Sequence, residues 1–298
     1  MNFSKPMSFP FHPIRSALLA CAAAAIALET TGAAEPARIV LQNGRSVMVS
    51  AVALQGDKLV VSTPGEGFTQ GQIIPMESVD HVFGERPSEL NPAIALLLTG
   101  KPGDAVKMLE PVITAYRVTA KLPGTFWLEA ARAALVAYAV EGNTAKVNDL
   151  GKEISDATPA QGSDSFVALG KALLLPSSTK ESDREIAFRD LTTDNLPADV
   201  CAYASFYRAN LLKSAKRSAD AAAVLKQDME TLEAYLMVPC LFPSGGMILN
   251  GVAELEASAF LIAAERTEER VALLKSSIRH SAGTLVSVEA NKRLESSK

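Results

Sequence analysis

The chain has 298 residues, 48% of them hydrophobic and 21% charged, which is enough apolar material for a full core. Aromatic residues make up only 6% and the formal net charge is −4, so neither a base-stacking surface nor a broad basic field points to nucleic acid. Abundant alanine and leucine with few aromatics suit helix packed on helix rather than an all-β core.

Residues 1–34 have the pattern of a secretory signal peptide. Lys5 and Arg15 precede the apolar run Ser16–Leu28, and small residues follow up to a cleavage position after Ala34. The run has 13 residues, short of the ~20 that a membrane span requires. Removing this segment leaves 27 basic and 32 acidic residues, a net charge of −5. The expected location is therefore exported, in the periplasm or cell envelope of a bacterial-type cell. A lipid-anchored form through Cys21 is the alternative, because Leu18–Cys21 resembles a lipobox.

Residues 35–85 predict a small antiparallel β domain. Arg38–Gly44 alternates and ends in Asn43-Gly44, a hairpin signal because both residues tolerate positive φ. Arg45–Gln55 continues as one long bent strand, Gly56-Asp57 turns the chain, and Lys58–Thr63 follows. Pro64–Gln72 predicts a hairpin loop, and Gln72–Gly84 adds one or two short strands. This rhythm resembles SH3-like and Sm-like small barrels.

After the linker Arg86–Pro92 the apolar period changes from two to about 3.6. Helices are expected near 92–99, 103–117, 125–140, 144–156, 163–175, 181–191, 199–214, 218–237, 249–265, 267–279 and 284–296. The fold class is thus mainly α over 86–298, an array of helical hairpins.

The segment Gly100-Lys101-Pro102-Gly103-Asp104 decides between a phosphate loop and a turn. A P-loop needs four residues between its glycines, then Lys and Ser or Thr. Here Lys101 follows the first glycine and no hydroxyl waits for magnesium. As a turn every residue fits: Gly100 caps one helix, Pro102 starts the next, and Asp104 favours its positive end.

The spacing around this turn resembles the tetratricopeptide repeat. With Gly100 in the turn, Ala105 and Leu109 take its small and large packing positions. Gly142 brings Val147, Gly151 and the closing Pro159 into register. Phe166, Leu169, Gly170 and Leu173 match a first helix; Ala209, Leu212, Ala221 and Leu225 match a further hairpin, and a degenerate fifth lies around Arg266 and Val271. The resemblance implies a stacked, curved scaffold whose concave face binds a protein or peptide.

No catalytic, cofactor or metal motif is present. Past residue 34 only His81 and His280 remain, without metal-ligand spacing, and both are expected as surface or capping residues. Glu254, Glu256, Glu268 and Glu269 are expected on solvated helix faces, and Lys213–Ser218 as a solvated turn. Leu241–Met247 carries Pro243 and Gly245-Gly246 and is expected as a connection, with a hinge or partner-contact loop as the functional reading. The aromatics that would serve a partner groove are Trp127, Tyr203, Tyr207 and Tyr235, weighed against a place in the core.

Cys201 opens one predicted helix and Cys240 ends its partner, so an antiparallel hairpin would bring them near one another. A disulfide there would close a loop worth on the order of 4 kcal/mol; two separate thiols are the other outcome. The expected function is a non-enzymatic protein–protein scaffold of the envelope. The rivals are an envelope hydrolase with dispersed residues and a self-assembling subunit. A pocket uniting His81 or His280 with carboxylates favours the hydrolase; a smooth apolar groove favours the scaffold.

Overall fold

Alternation sets up the β layer. In β1 (Arg38–Leu41), Ile39 and Leu41 turn inward while Arg38 and Val40 stay partly open. Gly44, at φ 78°, closes the turn to β2 (Ser46–Met48), and Gly56, at φ 60°, joins β3 (Val52–Gln55) to β4 (Lys58–Val61). With β5 (Ile73–Pro75) and β6 (Val79–Phe83) these form two antiparallel three-stranded sheets, ordered β2-β1-β6 and β3-β4-β5. The computed structural model describes residues 36–158, 164–193, 195–215 and 220–297. The expected signal peptide, Cys21 and Pro159 lie outside those residues, as does part of the turn Lys213–Ser218.

The single long strand expected over Arg45–Gln55 is broken. A 3-10 turn at Val49–Ala51 separates β2 from β3 and sends them to different sheets. The break is stable because its backbone groups are used by both sides: Val49 N–H donates to the Ala37 carbonyl, and the Ala51 carbonyl accepts from Ser62. The inward residues Ile39, Val47, Leu59, Ile74 and Val82 share a core with Phe68 and with Leu122, which comes from the helical part.

All eleven expected helices are present among the described residues: α1 (Leu90–Leu98), α2 (Pro102–Tyr116), α3 (Phe126–Val140), α4 (Thr144–Ala157), α5 (Ser165–Leu173), α6 (Glu181–Arg189), α7 (Ala198–Ser214), α8 (Ala221–Leu241), α9 (Met247–Ala263), α10 (Thr267–His280) and α11 (Leu285–Glu295). The largest departure is α8, which runs through Pro239 to Leu241. So close to the helix end, proline forfeits one backbone bond without stopping the chain.

The Gly100 turn is a Schellman cap. Gly100 N–H donates to Leu97 O and Lys101 N–H to Leu96 O, with Gly100 at φ 81°. Gly142 repeats the pattern on α3, donating to Ala139 O while Asn143 donates to Tyr138 O. Glu265 repeats it on α9, at φ 55°, in a conformation that glycine takes more easily.

The helices close on themselves. Odd-numbered helices pack in a ring, α1 on α3, α3 on α5, α5 on α7, α7 on α9, and α9 back on α1; α2, α4, α6, α8 and α10 pack against this ring, and α11 joins α10, α9 and α1. An open solenoid, in which each repeat touches only its neighbours, has no such first-to-last contact. Ala105, Leu109, Val147, Gly151, Phe166, Leu169, Gly170, Ala209 and Leu212 are buried, so these pattern positions do pack. Ala221 and Leu225 do not. Leu225 is 62% exposed, on an outward face of α8 that it shares with Met229.

Candidate functional site

At one end of the ring the starts of α1, α3, α5, α7 and α9 surround a cleft of about 630 Å3, which the end of α10 completes. Its charged wall begins with two residues that α3 cannot leave unpaired. That helix is apolar almost all round, and Glu129 and Arg132 are its only charged residues. Arg86, in the linker before α1, grips Glu129 through both guanidinium Nη atoms and donates to Asn91 Oδ1 at 3.1 Å. Arg132 Nη2 lies 2.6 Å from Asp164, whose side chain is 1% exposed, and Nη1 lies 3.3 Å from Asp199. The Arg132 guanidinium also sits 5.0 Å from the centroid of the Phe166 ring. One arginine thus ties α3 to the cap of α5 and the first turn of α7.

The α7 wall carries Tyr203, whose ring meets Phe166 edge-on at 5.6 Å. Burial first, and then the carboxylates of Glu129 and Asp199, push its phenol well above the usual tyrosine value. The group is therefore a neutral donor at any ordinary pH. On the α9 and α10 side, His280 lines the cleft, its Nδ1 2.9 Å from Oε2 of Glu254. Glu254 is 4% exposed, which corrects its expected place on a solvated face. α9, like α3, is apolar on nearly every side, so a carboxylate at that position turns inward and needs a partner. Glu256 is half-buried against Lys213, while Glu268 and Glu269 are exposed as expected.

The segment Leu241–Met247 also belongs to this cleft. Its 3-10 turn Pro243–Gly245 leads directly into α9. A Cβ on Gly245 would lie 2.3 Å from that of Ala202, so only glycine lets the loop lie this close to α7. Asn250 Nδ2 donates to the Pro243 carbonyl at 2.9 Å and pins the loop from the other side.

Of the four aromatics expected at a groove, Tyr203 alone lines this cleft. Trp127 and Tyr235 are fully enclosed, 1% and 0% exposed, and no partner reaches them. Their rings fill space left by the many alanines of α3, α7 and α9. Tyr235 donates to Asn210 at 2.6 Å, and the half-buried Tyr207 keeps an enclosed hydroxyl that meets no acceptor among the described residues. The possible disulfide is not formed. Cys201 is buried with its Sγ toward the carbonyls of Thr193 and Leu196, whereas Cys240 faces solvent, so the paired helix ends present the thiols to different sides. His81 is a surface residue of β6 beside Asp80, 2.8 Å away, and does not line the cleft that His280 lines. Among the described residues no group of three His, Cys, Asp or Glu side chains is gathered as a metal site would need. Nor is any of their helices long and apolar enough to cross a membrane.

The sequence reading missed Arg86, Glu129, Arg132, Asp164 and Asp199. A signal was available for two of them, since charges inside a helix that is apolar on every face have to be paired. No known protein-family model, curated protein or solved structure matches this chain.

Proposed function

We propose that this chain is an exported, non-enzymatic binding protein that holds a segment of a partner protein in the cleft at the helix-start end of its ring. One observation carries the reading. The charged wall is locked in pairs, Arg86 with Glu129 and Arg132 with Asp164 and Asp199, around an apolar floor that includes Ile94, Leu128 and Phe166. A wall fixed in this way is preorganised, which lowers the ordering cost of binding. The volume falls in the ~300–1,000 Å3 range of ligand sites. The hairpins are tetratricopeptide-like in their turns and in their small and large packing positions. The β layer, small-barrel-like in rhythm, offers the exposed Ile73 and Phe83 as a second contact. Export rests on the sequence pattern of residues 1–34.

The test is capture by the purified chain from an envelope extract, compared with Met247→Trp, which fills the mouth from a residue 63% exposed, and with Leu225→Ser on the outer face of α8. A partner lost with the first variant and kept with the second supports the cleft. Equal capture by both places binding elsewhere.

A second reading has its own observation. A histidine in a cleft, backed by a buried carboxylate, is the arrangement that orients an imidazole as a general base, and His280 with Glu254 has it. By the criterion set out from the sequence, this pairing counts for a hydrolase. If the cleft hydrolyses the segment it holds, His280→Ala abolishes turnover and leaves capture intact. Unchanged cleavage, or none with either protein, removes this reading.

A further inference from the structure

We propose that the start of α9, together with Arg279 and Tyr203, forms a carboxylate-binding subsite that takes the C-terminal carboxylate of the segment in the cleft. The inference rests on the binding reading above and specifies its ligand chemistry.

The first observation is the cap that α9 lacks. Thr125 caps α3 by accepting from Trp127 and Asp164 caps α5 by accepting from Phe166; α1 and α7 have no side-chain cap, though Asp199 in the first turn of α7 accepts from Val200. At α9 the capping position is Gly246, at φ 126°, with no side chain to offer. The amides of Met247, Ile248 and Leu249 therefore open a 17-residue helix toward the cleft without a side-chain acceptor. Such a terminus carries roughly half a positive charge and receives anions. The contact of Gly245 with α7 and the bond from Asn250 to Pro243 fix this loop in place.

The second observation is independent of the helix. Tyr203 is only 7% exposed, yet its hydroxyl makes no hydrogen bond to a described residue. It is not enclosed as the Tyr207 hydroxyl is, and Tyr203 lines the cleft. A donor on the cleft wall that no described residue engages is left for a ligand in the cleft. The third is Arg279 at the rim, which makes no hydrogen bond or ion pair with a described residue, unlike the paired Arg86 and Arg132.

Charge selects the kind of anion. Arg86, Arg132 and Arg279 stand against Glu129, Asp164, Asp199 and Glu254, so three arginines face four carboxyl side chains. A phosphate dianion would add to an excess of acidic groups. A single carboxylate is within reach of one helix terminus, one unpaired guanidinium and one phenol. The apolar floor beside them takes the side chain of a last residue, which favours a chain end over an acidic side chain within a segment.

The experiment titrates the purified chain by calorimetry with three probes: the acid N-acetyl-leucyl-leucine, its C-terminal amide, and isovalerate. The acid is expected to bind at least tenfold more tightly than the amide, since charge-assisted hydrogen bonds carry that much discrimination. Arg279→Gln is expected to weaken the acid about tenfold and to leave the amide unchanged; Tyr203→Phe weakens the acid several-fold with folding intact. Isovalerate matching the acid keeps the subsite but assigns it to free small acids, which overturns the chain-end part. Equal binding of acid and amide overturns the subsite while the cleft still holds peptide. Binding of no probe also overturns it, and capture with the Met247→Trp comparison then judges the binding function separately.

Discussion

The two ends of the helical ring are built on different principles. At the turn end, α1, α3 and α9 finish in the same local device, a Schellman cap at Gly100, Gly142 and Glu265 that uses bonds between residues three to five apart. At the cleft end, cohesion comes from side chains distant in sequence: Arg86 reaches 43 residues to Glu129, and Arg132 reaches 32 to Asp164 and 67 to Asp199. The first end is a row of independent turns, each stable for its own reasons. The second holds together only when α3 has met the linker before α1, the cap of α5 and the first turn of α7. Binding chemistry gathers at the second, where helix starts and donors remain available.

The sharpest way to break that difference is Arg132→Ala. It strands the carboxylate of Asp164, 1% exposed, inside the protein and frees the starts of α5 and α7. Breaking a buried pair from one side costs about 3–5 kcal/mol, and urea unfolding followed by circular dichroism measures it. Adding Asp164→Asn should recover a good part of the loss, because the amide oxygen still caps the Phe166 amide while the buried charge is gone. A single-variant loss below about 1 kcal/mol would mean that the arginine is solvated and the cleft end is not held by ion pairs.

At the turn end the expected effects are smaller and opposite in sign between two sites. Glu265 holds a left-handed conformation, φ 55°, with a side chain that costs about 1–2 kcal/mol there. Glu265→Gly should return that amount as added stability. Gly100→Ala should lose about the same, and for conformational reasons alone, because a Cβ at Gly100 meets nothing within 4 Å. If the two changes fail to mirror each other, the turns are not equivalent devices, and the ring's closure rather than its caps controls the ends.

What could be seen in the sequence follows the same division. Gly100-Lys101-Pro102 and Gly142-Asn143-Thr144 announce their turns because every relevant bond lies within the segment, and all eleven helices were placed from period and punctuation. Leu225 looked like a packing residue because the repeat pattern fixes spacing but not which helix stands opposite, and nothing covers it. The contact of α1 with α9 had no signal, since it depends on the summed rotation of all the hairpins between them. The cleft was half legible. Tyr203 and the loop Leu241–Met247 stood out by residue type, whereas Arg86 and Asp164 look like ordinary surface charges until their partners arrive.

The smallest effect marks where the cleft ends. Tyr203 and Tyr207 are one turn apart on α7; the first opens to the cleft and the second is shut in without an acceptor among the described residues. Tyr203→Phe should shift stability by less than about 0.5 kcal/mol, because its hydroxyl is accessible to water. Tyr207→Phe should gain about 1 kcal/mol by removing a buried group that bonds to no described residue. Burial raises both phenols, so both add to the loss of stability at high pH. Burial pushes the Tyr207 phenol far above its ordinary value of 10.0, so it keeps its proton when the unfolded chain has lost it. Its contribution is therefore complete below pH 10.0 and falls away as pH climbs toward the folded-state value. The slope it adds is about 1.4 kcal/mol per pH unit above 10. Urea unfolding between pH 9 and 11 should show a shallower alkaline loss for Tyr207→Phe than for the parent chain. Equal slopes would mean that the phenol titrates in the folded protein, and that water from the cleft reaches one helical turn deeper than Tyr203.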